Sequence, residues 1–178
     1  MGNIYSVAFS SINATGVVSD LFYVKGSSLS GMRILGLTLG QVAAALSSSA
    51  IENLTVSIYR GSSLSSTGDA SGGTTSSAGT LVVPVNINQR SEATASFLAY
   101  AYSTAPGSSG VIAELLHSSP WNTQRQFVWR PYKEALGKPT VSLGERLQVR
   151  LSAPAATIVV GGTLLLEEIG RIPGATVE

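Results

Sequence analysis

Two long apolar runs near the C-terminal end, Glu145 to Ala153 and Thr157 to Glu168, joined through Ala153-Pro154, constrain this chain more than any other feature. In the first run Leu147, Val149 and Leu151 alternate with Arg146, Gln148 and Arg150, the period of a strand with one face buried and one outward. The second is apolar over most of its length and carries Gly161-Gly162, where a bend is expected. Two such runs around a proline-containing turn predict the closing hairpin of a β-sandwich.

The same signal recurs upstream. Asn3 to Ser11, Asp20 to Lys25, Met32 to Gln41, Asn53 to Arg60, Leu81 to Ile87, Ala93 to Ser103, Val111 to His117 and Gln124 to Arg130 are rich in β-branched and aromatic residues and bounded by Ser, Gly or Pro clusters. With the final pair they give about eight to ten strands. Alternation sets Leu21 and Tyr23 opposite Phe22 and Val24, and Ile34 opposite Leu35, Leu37 and Leu39, with Gly36 admitting a bulge. Leu54, Val56 and Ile58 share one face, and Phe97 lies opposite Leu98, Tyr100 and Tyr102. Val42 to Ser49, containing Ala43-Ala44-Ala45-Leu46, is the one stretch that predicts a short helix.

A chain of 178 residues suits one domain, because folding at this length buries roughly 70% of the unfolded chain's surface. The expected domain is 1–170, with a mobile Ser/Gly-rich loop at 62–79, too poor in apolar groups to offset its ordering entropy, and a tail at 171–178. Without strand-helix-strand repetition, the pattern predicts an all-β, antiparallel sandwich of jelly-roll type. An immunoglobulin-like sandwich is the alternative, although the Cys-Trp-Cys signature is missing.

Charged residues form 12% of the chain, about half the ~25% of ordinary soluble proteins, and the net charge is +1. A surface of small neutral polar groups costs little to desolvate and repels its copies weakly, which points to an oligomer or assembly subunit. Clustered Lys and Arg are missing, so direct nucleic-acid binding is not expected. With no cysteine there is neither a disulfide framework nor a thiolate metal site. The start of the chain lacks a signal-peptide pattern and no apolar stretch reaches about 18 residues, so cytosolic synthesis and no membrane contact are expected.

Reactive groups do not combine into a recognisable site, so no catalytic residue, cofactor or metal is expected. His117 is the single histidine; a Ser-His-Asp arrangement would require Asp20 or Asp69 beside it, and Gly-x-Ser-x-Gly is absent. Glu167 and Glu168 are adjacent, so on a strand they face opposite ways and cannot flank one bond; a solvated rim or an intersubunit contact with Arg is the expectation. Asp69 lacks the further acidic ligands that calcium needs.

One segment invites a functional reading. Between Trp121 and Lys138, Trp121, Phe127, Trp129 and Tyr132 are interleaved with Arg125, Arg130, Lys133 and Lys138. These aromatics either fill the sandwich or anchor an interface, and the interface candidates are Trp121, Arg125, Arg130, Tyr132 and Lys133. Trp121, Trp129, Tyr100 or Tyr132 would serve as stacking platforms if the ligand were a sugar or receptor.

Phe127-x-Trp129-Arg130-Pro131-x-x-Glu134, Gly144-x-x-Leu147-x-Val149-Arg150-Leu151, Ala153-Pro154 and Gly162-Thr163-Leu164 with Glu167-Glu168-Ile169-Gly170 together resemble small virion structural proteins of tailed bacteriophages. Tyr5-Ser6-Val7-x-Phe9, Asp20-Leu21-Phe22 and Leu37-x-Leu39-Gly40-Gln41 extend the likeness over most of the chain. The resemblance implies a capsid decoration or cement protein on the virion surface, a homo-oligomer with a trimer favoured, bound to the major capsid protein. It implies no catalytic residue. The loop at 62–79 and the tail at 171–178 match no motif of the resemblance.

Overall fold

Alternating burial along each strand produces two sheets that close on a shared apolar interior. The computed structural model describes residues 3–14, 18–26, 30–44, 52–61, 80–87, 95–101, 114–131 and 138–169. Among them are twelve strands: β1 (Ile4–Ala14), β2 (Ser19–Lys25), β3 (Gly31–Ala44), β4 (Asn53–Gly61), β5 (Thr80–Val82), β6 (Val85–Asn86), β7 (Leu98–Ala101), β8 (Glu114–Asn122), β9 (Phe127–Trp129), β10 (Thr140–Val141), β11 (Arg146–Leu151) and β12 (Ile158–Ile169). The expected loop at 62–79 and tail at 171–178 lie outside the described residues.

The first sheet runs β10-β3-β12-β1-β6, with β9 also pairing β3, and the second runs β5-β7-β2-β11-β4-β8. All pairs are antiparallel. The pairing is nested: β1 with β12 and β3 with β9 and β10 in one sheet, β2 with β11 and β4 with β8 in the other. A hairpin-like chain folded back on itself and wrapped into two sheets has this order, so the sandwich is a jelly roll. β5, β6 and β7 extend it along the side where β1 and β2 lie.

The expected closing hairpin is not formed. β11 pairs β2 and β4, whereas β12 pairs β1 and β3, so Ala153-Pro154 lies in a crossover between sheets. Both strands are apolar on the face that meets the shared core, and either arrangement buries that face, so periodicity could not choose between them. The expected helix at Val42 to Ser49 is also corrected: Val42–Ala44 end β3, with Ala43 and Ala44 opposite Val159 and Ile158, and 45–49 lie outside the described residues. Pairing along β12 outweighs the weak helical preference of so short a run.

The core draws Tyr5, Val7, Phe9 and Ile12 from β1, Leu37 and Leu39 from β3, Leu54, Val56 and Ile58 from β4, Leu147, Val149 and Leu151 from β11, and Leu164 and Leu166 from β12. Tyr5 meets Phe97 edge-on, with centroids 5.3 Å apart and planes at 88°. Two irregularities change the alternation read from sequence. Leu165 pairs Gly36 while Leu166 pairs Ile34, so Leu35 is an extra residue, and Ile34 joins Leu37 and Leu39 in the core. On β2, Val149 pairs Phe22 while Arg150 pairs Asp20, leaving Leu21 extra. Leu21 and Val24 therefore both reach the core, and Tyr23 is turned to the outer face.

Candidate interaction surfaces

The outer face of the second sheet is built by the residues that alternate with the core set. One row crosses all six strands: Leu81, Tyr100, Tyr23, Gln148, Tyr59 and Leu115. Tyr23 and Tyr100 stack with centroids 5.0 Å apart and planes at 19°. Beside the row, Arg150 donates to Asp20 through Nε (2.6 Å) and Nη2 (3.2 Å), and its guanidinium lies 5.4 Å from the Tyr59 ring centre. Asp20 is buried, and this burial raises its carboxyl above the ordinary 3.8; hydrogen bonding and charge from Arg150, then a hydrogen bond from Gln148, pull the other way. Gln148 is buried as well, and its Oε1 has no hydrogen-bond partner.

The segment that the sequence marked as an interface divides. Trp121 pairs Leu54 and is only 2% exposed, with its indole N–H donating to the Arg125 carbonyl at 2.6 Å. It is a core residue that closes the turn from β8 to β9 and is not a surface anchor. Trp121 stands one residue before the end of β8, opposite buried Leu54, so its large ring fills the sandwich. Phe127 is buried, Trp129 packs partly against the core, and Arg125 and Arg130 are exposed. Tyr132 and Lys133 lie outside the described residues. His117 stacks on Trp129 across the sheets, with centroids 5.1 Å apart, and its partial burial lowers its pKa from the usual 6.5. The neutral ring is thus favoured in the folded state, and its contribution to stability is lost as pH falls from 6.5 through the lower folded value.

Glu167 and Glu168 do face opposite ways. Glu167 accepts from Arg33 at 3.1 Å on a part-exposed surface. Glu168 is buried, not solvated: its Oε1 accepts from Ser30 Oγ (2.9 Å), from the Ser96 amide (3.3 Å) and from the Ser96 hydroxyl. The carboxylate ties the starts of β3 and β7 to the end of β12. Replacing Glu168 by Ala should cost about 2–3 kcal/mol, because buried donors lose a shared acceptor. Glu168→Gln, which keeps one carbonyl oxygen, should cost less. Urea unfolding of both variants checks the order, and equal losses would mean that side-chain volume rather than acceptance matters.

The two open sides of the sandwich differ in chemistry. Where β8 faces β9 and β10, Arg60 pairs with Glu114 and donates to the Thr140 carbonyl at 2.6 Å, and Pro120 interrupts the free edge. On the other side 80–87 passes from the edge of one sheet at β5 to the edge of the other at β6. Here Leu81, Val83, Val85 and Ile87 are 54%, 74%, 60% and 46% exposed, while Val82 packs partly against the core. No residue from Thr80 to Ile87 is charged. Among the described residues, no group of three or more His, Asp or Glu side chains could hold a metal ion. No protein-family model matches the chain, and neither curated proteins nor solved structures give a match.

Proposed function

We propose that this protein is a non-enzymatic structural subunit of a tailed-bacteriophage virion, a decoration or cement protein. In this reading it is made in the host cytoplasm, oligomerises with a trimer favoured, and binds the major capsid protein on the capsid surface. The observation that carries the reading is the uncharged apolar ribbon from Leu81 to Ile87, whose alternate side chains are turned to solvent on an exposed sheet edge. Pro84 breaks the main-chain pairing between β5 and β6, but with no charge from Thr80 to Ile87 and alternate apolar side chains exposed, the ribbon is suited to side-chain contact with another chain. Jelly rolls serve in both viral coats and sugar-binding domains, so the fold alone favours neither role. Purified protein added to undecorated capsids should raise their disruption temperature; an unchanged temperature with no bound density would overturn the proposal.

A second reading, a carbohydrate- or receptor-binding module of a phage tail or fibre, draws on the tyrosine row of the outer face. Tyr59, with the Arg150 guanidinium 5.4 Å from its ring centre, and Tyr100, stacked on Tyr23, are part-exposed rings of this row, each suited to stacking a sugar ring. Glycan-array binding abolished by Tyr100→Ala would favour it over the capsid reading.

A further inference from the structure

We infer that the Leu81–Ile87 ribbon is the surface through which copies of this chain meet, ribbon against ribbon. The inference rests on the assembly reading above and names the contact that it uses. Leu81 shares the face of Tyr100 on one sheet, Val85 pairs Ser6 on the other, and Val83 lies between them at the rim, so the exposed side chains wrap one whole side of the sandwich. Leu98, one register step beyond the Val82–Ala99 pair and 46% exposed, extends the patch. Among the described residues β1 pairs β6 only at Tyr5 and Ser6, so the main chain of β1 beyond Ser6 has no strand on this side.

The chemistry selects a second copy as the occupant. A surface without charge offers no complement to an acidic or basic partner, and it desolvates most cheaply against one equally uncharged. The chain supplies such a surface itself: apolar residues at every second position from 81 to 87 match the same period in a neighbour. Size sets the strength. Seven residues at ~3.3 Å each give a ribbon about 23 Å long, and at ~10 Å wide it covers on the order of 230 Å². This falls short of the ~800 Å² per partner of a standard stable interface. Copies meeting through it should therefore associate reversibly, with avidity supplied when many are held on one lattice.

Light scattering over a wide dilution series tests the inference on the wild type, on Val83→Asp/Val85→Asp, and on Leu115→Asp/Val128→Asp at the opposite side. The wild type should exceed the 18.3 kDa of one chain at high concentration and approach it on dilution. The ribbon variant should remain at one chain's mass with an unchanged thermal midpoint, since both positions are solvent-exposed, while the opposite-side variant should behave as wild type. The single substitution Val83→Asp, at the most exposed position, should weaken association at least tenfold if the double variant proves unstable. Oligomers that persist in folded ribbon variants would overturn the inference and leave the assembly reading standing. A wild type that is monomeric at every concentration would overturn the inference, and capsid binding would then decide the assembly reading separately.

Discussion

Replacing Arg150 by Met should destabilise the protein by about 3–5 kcal/mol at neutral pH, the cost of leaving a buried charge without its partner. Asp20 has a fully buried side chain and Arg150 is 13% exposed, so solvent does little to screen the pair. The direction of the Asp20 shift shows which effect wins: burial opposes the carboxylate more than Arg150 and Gln148 favour it. A pair in this position gives little net stability although removal of one member is severe. Asp20→Asn combined with Arg150→Met should accordingly recover a substantial part of the loss. Urea unfolding of the single and double variants measures this, and a single-variant loss below about 1 kcal/mol would place the bridge among weak surface pairs.

The same pair predicts a pH dependence. Because its folded-state pKa lies above 3.8, Asp20 holds a proton in the folded chain at pH values where the unfolded chain has released it. Its contribution to stability is fully present below 3.8 and is lost as pH rises through the folded value. In Arg150→Met the groups that restrain the shift are reduced, so the window widens upward. The penalty of that substitution should be small near pH 4 and complete at pH 7, and a penalty independent of pH would show that lost packing dominates.

Alternation made much of the fold readable in advance. Leu54, Val56 and Ile58, or Leu147, Val149 and Leu151, could be assigned to the core because a strand buries every second residue. Outward placement of Arg146, Gln148 and Arg150 follows from the same period, although Gln148 is nonetheless buried by its surroundings. Partner choice was not readable, because Ala153-Pro154 serves a hairpin or a crossover equally. Nor were the extra residues at Leu21 and Leu35, each of which reverses the faces beyond it through main-chain pairing with a distant strand. The ribbon was visible only as a strand: Leu81, Val82 and Val83 are all apolar, so no alternation marked which would face water. Glu168 looked like a rim residue since Ser30 and Ser96, which make its burial tolerable, are remote in sequence.

Gly162→Ala should cost at least about 3 kcal/mol, the upper end of what overpacking usually costs, whereas Gly40→Ala should be neutral or stabilise by up to about 1 kcal/mol. Both glycines lie within strands of the first sheet, and sequence gives no reason to separate them. A Cβ at Gly162 would lie 2.3 Å from the Thr38 carbonyl oxygen, 2.8 Å from Leu39 Cδ2 and 3.0 Å from Phe9 Cζ. Leu39 and Phe9 could adjust their side chains, but the Thr38 oxygen is main chain of the neighbouring strand and moves only if β3 shifts against β12. At Gly40 a Cβ meets nothing within 4 Å, so the substitution chiefly restricts the unfolded chain. Gly162 is therefore a site of close strand approach, and the irregularity that Gly161-Gly162 suggested lies on the β1 side, where the pairing shifts between Phe9–Gly162 and Ile12–Val160. Thermal unfolding of the two alanine variants should separate them widely. Equal midpoints would mean that β3 and β12 can part at Thr38 without cost, and the tight seam between them would not be a source of the sandwich's stability.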